Sequence, residues 1–188
     1  MAEQESSQNP NEIKMTDWQG FLEEFQSESD RAAVILGGVF LDRHLRNLIA
    51  QFLIEDEKEV EFLLGSERKL DRPLSNFSAR RRAAYCLGLI TKDQYNDLRM
   101  IEKVRNRFAH HLHGLSFADE QIIGWCNSLK FLKKLLPDES FPPRAAFIVC
   151  VYTLASSFQL KAIDIEKKGK RCVVPSEPKI VRKEFRSS

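Results

Sequence analysis

The run from Asp30 to about Ile54, DRAAVILGGVFLDRHLRNLIAQFLI, constrains this chain most. Val34, Ile35, Val39, Leu41, Leu45, Leu48, Ile49, Phe52 and Leu53 make one wide apolar face at helical spacing. The run therefore predicts a long helix whose face other elements must cover. Gly37-Gly38 in its middle weakens a helix by roughly 1 kcal/mol per Gly relative to Ala, a cost usually accepted where another helix packs close. Asp42, Arg43, His44 and Arg46 bring charges into this apolar helix, and His44 is most simply a partly buried helix histidine.

The rest of the chain repeats the theme. Residues 1–14 lack periodicity and large apolar side chains, which predicts a disordered N-terminus. Thr16 with Gln19 makes a capping box, and Trp18, Phe21, Leu22 and Phe25 give a short first helix. Glu57–Leu64 reads as a short helix ended by Gly65, and SERKLDRPLSNFS as a loop. Ser78 is expected to cap ARRRAAYCLGLI. Thr91 with Gln94 is a further capping box that opens a central helix. Asp119–Leu136 is amphipathic, prolines 137, 142 and 143 break the pattern, and Arg144–Glu166 starts with Pro at its first turn. Six or seven helices and no strand predict an all-α bundle. The expected organisation is one helical domain over 15–166, followed by an extended basic tail over 167–188.

Charge narrows the function classes. The formal net charge is +2. Residues 166–188 carry eight Lys/Arg against three Glu, which leaves about −3 on the body. The body does not announce a nucleic-acid binder, and no helix-turn-helix signature or Gly-rich phosphate loop stands out, so direct DNA binding is doubtful. The four cysteines are scattered without a Cys-x-x-Cys pair and read as buried free thiols in a reducing cytoplasm. No secretory signal is expected. The most apolar segment, Ala145–Ile163, contains Ser156, Ser157, Gln159 and Lys161, which suits a core helix and not a membrane span.

Chemistry concentrates in TKDQYNDLRMIEKVRNRFAHHLH, residues 91–113. At 100° per residue, Leu98, Ile101, Val104, Phe108, Ala109 and Leu112 form one apolar stripe, and Arg105 falls inside it. Arg99, Glu102, Asn106, His110 and His113 lie on the adjoining polar face. A buried guanidinium is costly unless paired. Arg105 therefore either pairs with an internal acid, Asp42 being the obvious candidate, lies in a subunit interface, or awaits a phosphate. An imidazole can act as a general acid or base, so His110 with Arg105 supplies a base and a cation, the two elements that cleave RNA without metal. Asn106, one turn before His110, would orient it or donate to phosphate. His110 and His113 lack a third ligand and a Glu base, so no metal is expected, and no cofactor is implied. Asp42, Arg99, Arg107, His111, His113, Arg80 and Arg81 are supporting or RNA-binding candidates. For Arg80–Arg82, as for the tail, a solvated face is the other reading.

Three blocks also carry a resemblance. Arg72-Pro-Leu-Ser-Asn-Phe-Ser-Ala-Arg80, Ala84-Tyr-Cys-Leu-Gly-Leu-Ile90 and Tyr95…Val104-Arg-Asn-Arg-Phe-Ala-His110, with the earlier Gly38-Val-Phe-Leu-Asp-Arg-His-Leu-Arg46, are similar to the mannitol-repressor family over about residues 30–125. This implies an all-helical bundle and a bacterial regulator of a sugar-alcohol operon. More remotely, Arg105-Asn106-x-x-x-His110 resembles the motif of the HEPN superfamily of helical proteins, which includes metal-independent endoribonucleases acting as dimers. That resemblance implies Arg105 and His110 as catalytic, Asn106 as supporting, and products with 2′,3′-cyclic phosphate ends. The expected partners are a second copy of the chain, RNA, and a protein (a regulator target or antitoxin). The expectations for function are a regulator on a HEPN-like scaffold, an endoribonuclease of toxin or defence type, and a purely structural interaction module.

Overall fold

The computed structural model describes residues 23, 25, 27–65, 71–111 and 114–175. Among the described residues seven helices follow from Asp30 onward: α1 (Asp30–Phe52), α2 (Glu57–Leu64), α3 (Phe77–Cys86), α4 (Lys92–His110), α5 (Glu120–Asn127), α6 (Lys130–Leu135) and α7 (Pro143–Lys167). No strand occurs among the described residues. The expected disordered residues 1–14 and most of the first helix lie outside the described residues, although Phe25 is seen buried in the core.

Helices α1 and α7 form the centre. Ala33, Val34, Leu41, Leu45, Leu48 and Ile49 of α1 are fully buried, as are Phe147, Leu154 and Ala155 of α7. Burying each large apolar side chain contributes about 1.5–3 kcal/mol. Although α7 is long and apolar enough to cross a membrane, it is the core helix packed most extensively on α1. Helix α4 closes the other side, packing on α1, α3, α5, α6 and α7, with Leu98, Ile101, Val104 and Phe108 buried.

Asp97 organises the neighbours of α4. It is fully buried, and its two carboxylate oxygens accept the backbone N–H groups of Lys130 (2.9 Å) and Phe131 (2.7 Å). Helix α6 has no side-chain cap of its own, so Asp97, more than thirty residues earlier, serves as its N-cap. Burial pushes this carboxyl above the usual aspartate range, while the backbone N–H groups of Lys130 and Phe131 pull the other way. The Cys150 thiol, 3.9 Å from the same carboxylate, is itself pushed well up by burial and by that negative charge.

Several expectations change here. The single helix expected over Asp119–Leu136 is two, because the chain turns at Ser128–Leu129 to bring the start of α6 onto Asp97. Asn76, not Ser78, caps α3, its side chain accepting the Ala79 N–H at 2.9 Å. That helix stops at Cys86, and Gly88 makes the turn with φ of 70°, a conformation that favours glycine. Only Cys126 and Cys150 are buried, whereas Cys86 and Cys172 are exposed; all four are free. The start of the tail is docked: Cys172 N–H donates to the Phe52 carbonyl, and Arg171 donates to the carbonyl and side-chain oxygens of Gln51.

Asp97→Ala removes two buried acceptors at once. It is expected to cost about 2–4 kcal/mol in chemical denaturation. A loss below about 0.5 kcal/mol contradicts the tertiary cap.

Candidate functional site

One side of α1 carries a ladder at Arg31, Gly38, Asp42 and Arg46, in steps of seven, four and four. Each rung fixes a different neighbour. Arg31 donates to the Phe108 carbonyl at 2.6 Å and to the His111 carbonyl, so a cation closes the exposed C-terminal end of α4. Asp42 pairs with Arg80 of α3 at 2.5 Å. Arg46 donates to the Gly65 carbonyl and pairs with Glu61 at 2.5 Å, which fixes α2.

Gly38 is the remaining rung and lies against Arg105. A Cβ at Gly38 would meet Arg105 Cδ at 2.6 Å, so the missing side chain is what admits the arginine. This is the close approach that the glycine pair predicted, with a side chain in place of a helix backbone. Gly37 faces the rings of Phe147 and Phe25 instead, at 3.2 and 3.3 Å.

Arg105 is half-buried, on the edge of the apolar stripe. It does not pair with Asp42, whose partner is Arg80, and it has no ion pair among the described residues. Asn106 and His110 are exposed on α4, and His111 caps its C-terminus. His113 lies outside the described residues. Five residues of helix turn Arg105 and His110 about 140° apart around the axis. A single protomer therefore does not aim them at one phosphate. Ala109, expected on the apolar stripe, is exposed.

The supporting candidates separate into two groups. Arg80 and Arg81 are corrected from a solvated or nucleic-acid patch to buried structural residues, with side chains only 8% and 5% exposed. Arg80 donates to Asp42 and to the Leu64 carbonyl at 2.9 Å. Arg81 pairs with Glu102 at 3.3 Å and stacks on the Tyr95 ring at 4.5 Å. Such charges are tolerated in the interior because opposite charge and carbonyl oxygens meet them there. Arg99 is exposed, and Arg107 is tied to Asp119 at 3.5 Å. His44 is buried, as expected, with Nδ1 2.9 Å from the Phe40 carbonyl. Burial holds its pKa below the usual histidine value, with Arg43 adding to the effect and the Phe40 carbonyl opposing it. No group of three or more His, Cys, Asp or Glu side chains that could hold a metal occurs among the described residues. A cavity of about 140 Å³ between α5, α6 and the start of α7 has Cys126, Leu132, Leu136 and Phe141 among its walls and includes no residue of α4.

Sequence reasoning missed Arg31 and Asp97, since each acts on backbone groups more than thirty residues away. The steps of seven and four along α1 were the only local signal for the ladder.

The two glycines make a paired prediction. Gly38→Ala should change stability by less than about 1 kcal/mol, because Arg105 is flexible and the alanine favours the helix. Gly37→Ala should cost about 1–3 kcal/mol, since its neighbours are packed aromatic rings. Equal losses in thermal unfolding would contradict the assignment of Gly38 to Arg105.

Comparison with known proteins agrees with this architecture. The chain is 26% identical over 113 residues to the mannitol operon repressor of Escherichia coli strain K12, covering 60% of this chain and 58% of that protein. The same figures hold for the repressor of Escherichia coli strain CFT073. The chain thus spans well under two thirds of the length of these curated relatives. The fold is similar to a chain in the X-ray structure of the MtlR-HPr complex from Escherichia coli, with a TM-score of 0.62, 22% identity, and coverage of 77% of this chain and 99% of that one. The MtlR family, described as mannitol repressor, matches residues 21–151. The chain belongs to the mannitol-repressor family.

Proposed function

We propose that this chain is a bacterial operon regulator that acts by binding a protein partner, HPr or a close counterpart, and not by reading DNA itself. The observation that carries this reading is the fold shared with a chain solved in complex with HPr, matched over 99% of its length. Physical features support the second half. Helix α4, the basic helix, packs on α3, α5 and α6, and Arg80 and Arg81 are consumed inside the bundle. A recognition helix must instead enter the major groove, which is about 12 Å wide.

Titration calorimetry with HPr from the same genome, and with the Escherichia coli protein, is expected to give saturable binding with Kd no weaker than about 100 μM. A folded chain that binds neither would overturn the reading. DNA containing a sugar-alcohol operator should bind no better than random DNA of equal length.

A second reading, metal-independent RNA cleavage by Arg105 and His110 with Asn106 in support, is favoured by one feature. Arg105 is half-buried with no ion pair among the described residues. Because one protomer points the two side chains apart, this activity requires a homodimer in which a second copy supplies the histidine. Exposed Leu36 and Val39 of α1 offer an apolar pair that a second copy could cover. Incubation of RNA in EDTA should then yield 2′,3′-cyclic phosphate ends, lost in both Arg105→Ala and His110→Ala. Cleavage that persists in both variants, or a monomer mass by light scattering, sinks the reading.

A further inference from the structure

The outward ridge of α4 has a composition that the partner-binding reading does not use. Lys92, Asn96, Arg99, Lys103, Asn106 and His110 recur in steps of four, three, four, three and four. That spacing keeps them on one line along the helix. The line spans about 27 Å at 1.5 Å per residue. All six are exposed or half-exposed, and none is an acid.

The carboxylates beside the ridge are already engaged. Asp93 is held by Lys134, and Glu102 by Arg81. Lys92, Arg99 and Lys103 make no ion pair among the described residues. The body has a slightly negative total charge, yet it presents a continuous line of cations and amides.

Aromatic rings border the same line. Tyr85 of α3 and Tyr95 of α4 lie with ring centroids 4.8 Å apart, and Tyr85 is 37% exposed. The Lys92 ammonium sits 4.9 and 5.0 Å from their two centroids. Exposed Arg82 follows the Tyr85 side of α3. At mid-ridge the Lys103 ammonium lies 5.6 Å from the Trp125 ring. Interleaving of cations with aromatic rings separates a strand-binding surface from an ordinary solvated face.

We propose that the outer ridge of α4 is a docking surface for single-stranded RNA. Lys92, Arg99 and Lys103 take successive phosphates, and Tyr85 offers a stacking face for a base. Asn96 and Asn106, each both donor and acceptor, can engage 2′-hydroxyl groups. The mix of cations with exposed rings suits an extended strand with unstacked bases more than a duplex, whose bases are stacked away from such rings. Binding of this kind needs no cleavage and is independent of any protein partner.

The test is fluorescence anisotropy of a labelled oligouridylate of about ten nucleotides, titrated with the full chain across a salt series. Binding is expected to weaken with salt at a slope near that of three phosphates, about −0.7 each. The double variant Arg99→Glu, Lys103→Glu should weaken it at least tenfold, with circular dichroism and thermal midpoint unchanged. Tyr85→Ala should weaken it and leave the salt slope intact. Absent binding at low salt, or unaltered affinity in the double variant, overturns the proposal and leaves a solvated face. Equal affinity for the matching DNA strand overturns the assignment to RNA. Equal affinity for duplex RNA or for polyglutamate overturns the assignment to a single strand. HPr titration of the same double variant keeps the two readings apart, since loss of RNA binding with HPr binding retained fits the ridge alone.

Discussion

The arrangement depends on the docking of α1 along one side. Arg31 and Gly38 meet α4, Asp42 meets α3 and Arg46 meets α2, so a single helix sets the positions of α2, α3 and the end of α4. The rungs differ in chemistry. Two are ion pairs between helices, one is a guanidinium on free carbonyls, and one is the absence of a side chain. Apolar burial on the adjoining face, shared with α7, supplies most of the stabilisation. The ladder adds register, because a helix slipped by one residue would strand Asp42 and Arg80 without their partners.

Much of this was legible in the sequence. Capping at Thr91, the Gly65 stop, the glycine pair and the period of the apolar positions are local signals, and they yielded the all-α fold and most helix limits. What was not legible depends on distant partners. Asp119–Leu136 looks like one helix because its apolar period runs on through Ser128, and only a carboxylate on α4 explains why α6 begins anew. Arg80–Arg82 look alike in sequence, yet two are buried and one is exposed, because the acids that accept the first two lie on α1 and α4.

The same limit applies to the candidate site. Helical projection placed Arg105 inside the apolar stripe, whereas it is half-buried at the stripe's edge, and its first-choice partner, Asp42, is taken by Arg80. The spacing of Lys92, Asn96, Arg99 and Lys103 is present in the sequence as well, but it acquires meaning only from the tyrosines that flank it in the fold.

Arg31 has a consequence for the order in which the molecule assembles. Its two carbonyl partners lie 77 and 80 residues downstream, so the last turn of α4 is closed by a group that arrives only when α1 has docked. Local sequence can start α4 at Thr91, but its histidine end waits on a long-range contact and its loop-closure entropy. The last turn of α4, which carries His110, is thus a late-forming one, and any loosening of the start of α1 is transmitted directly to it.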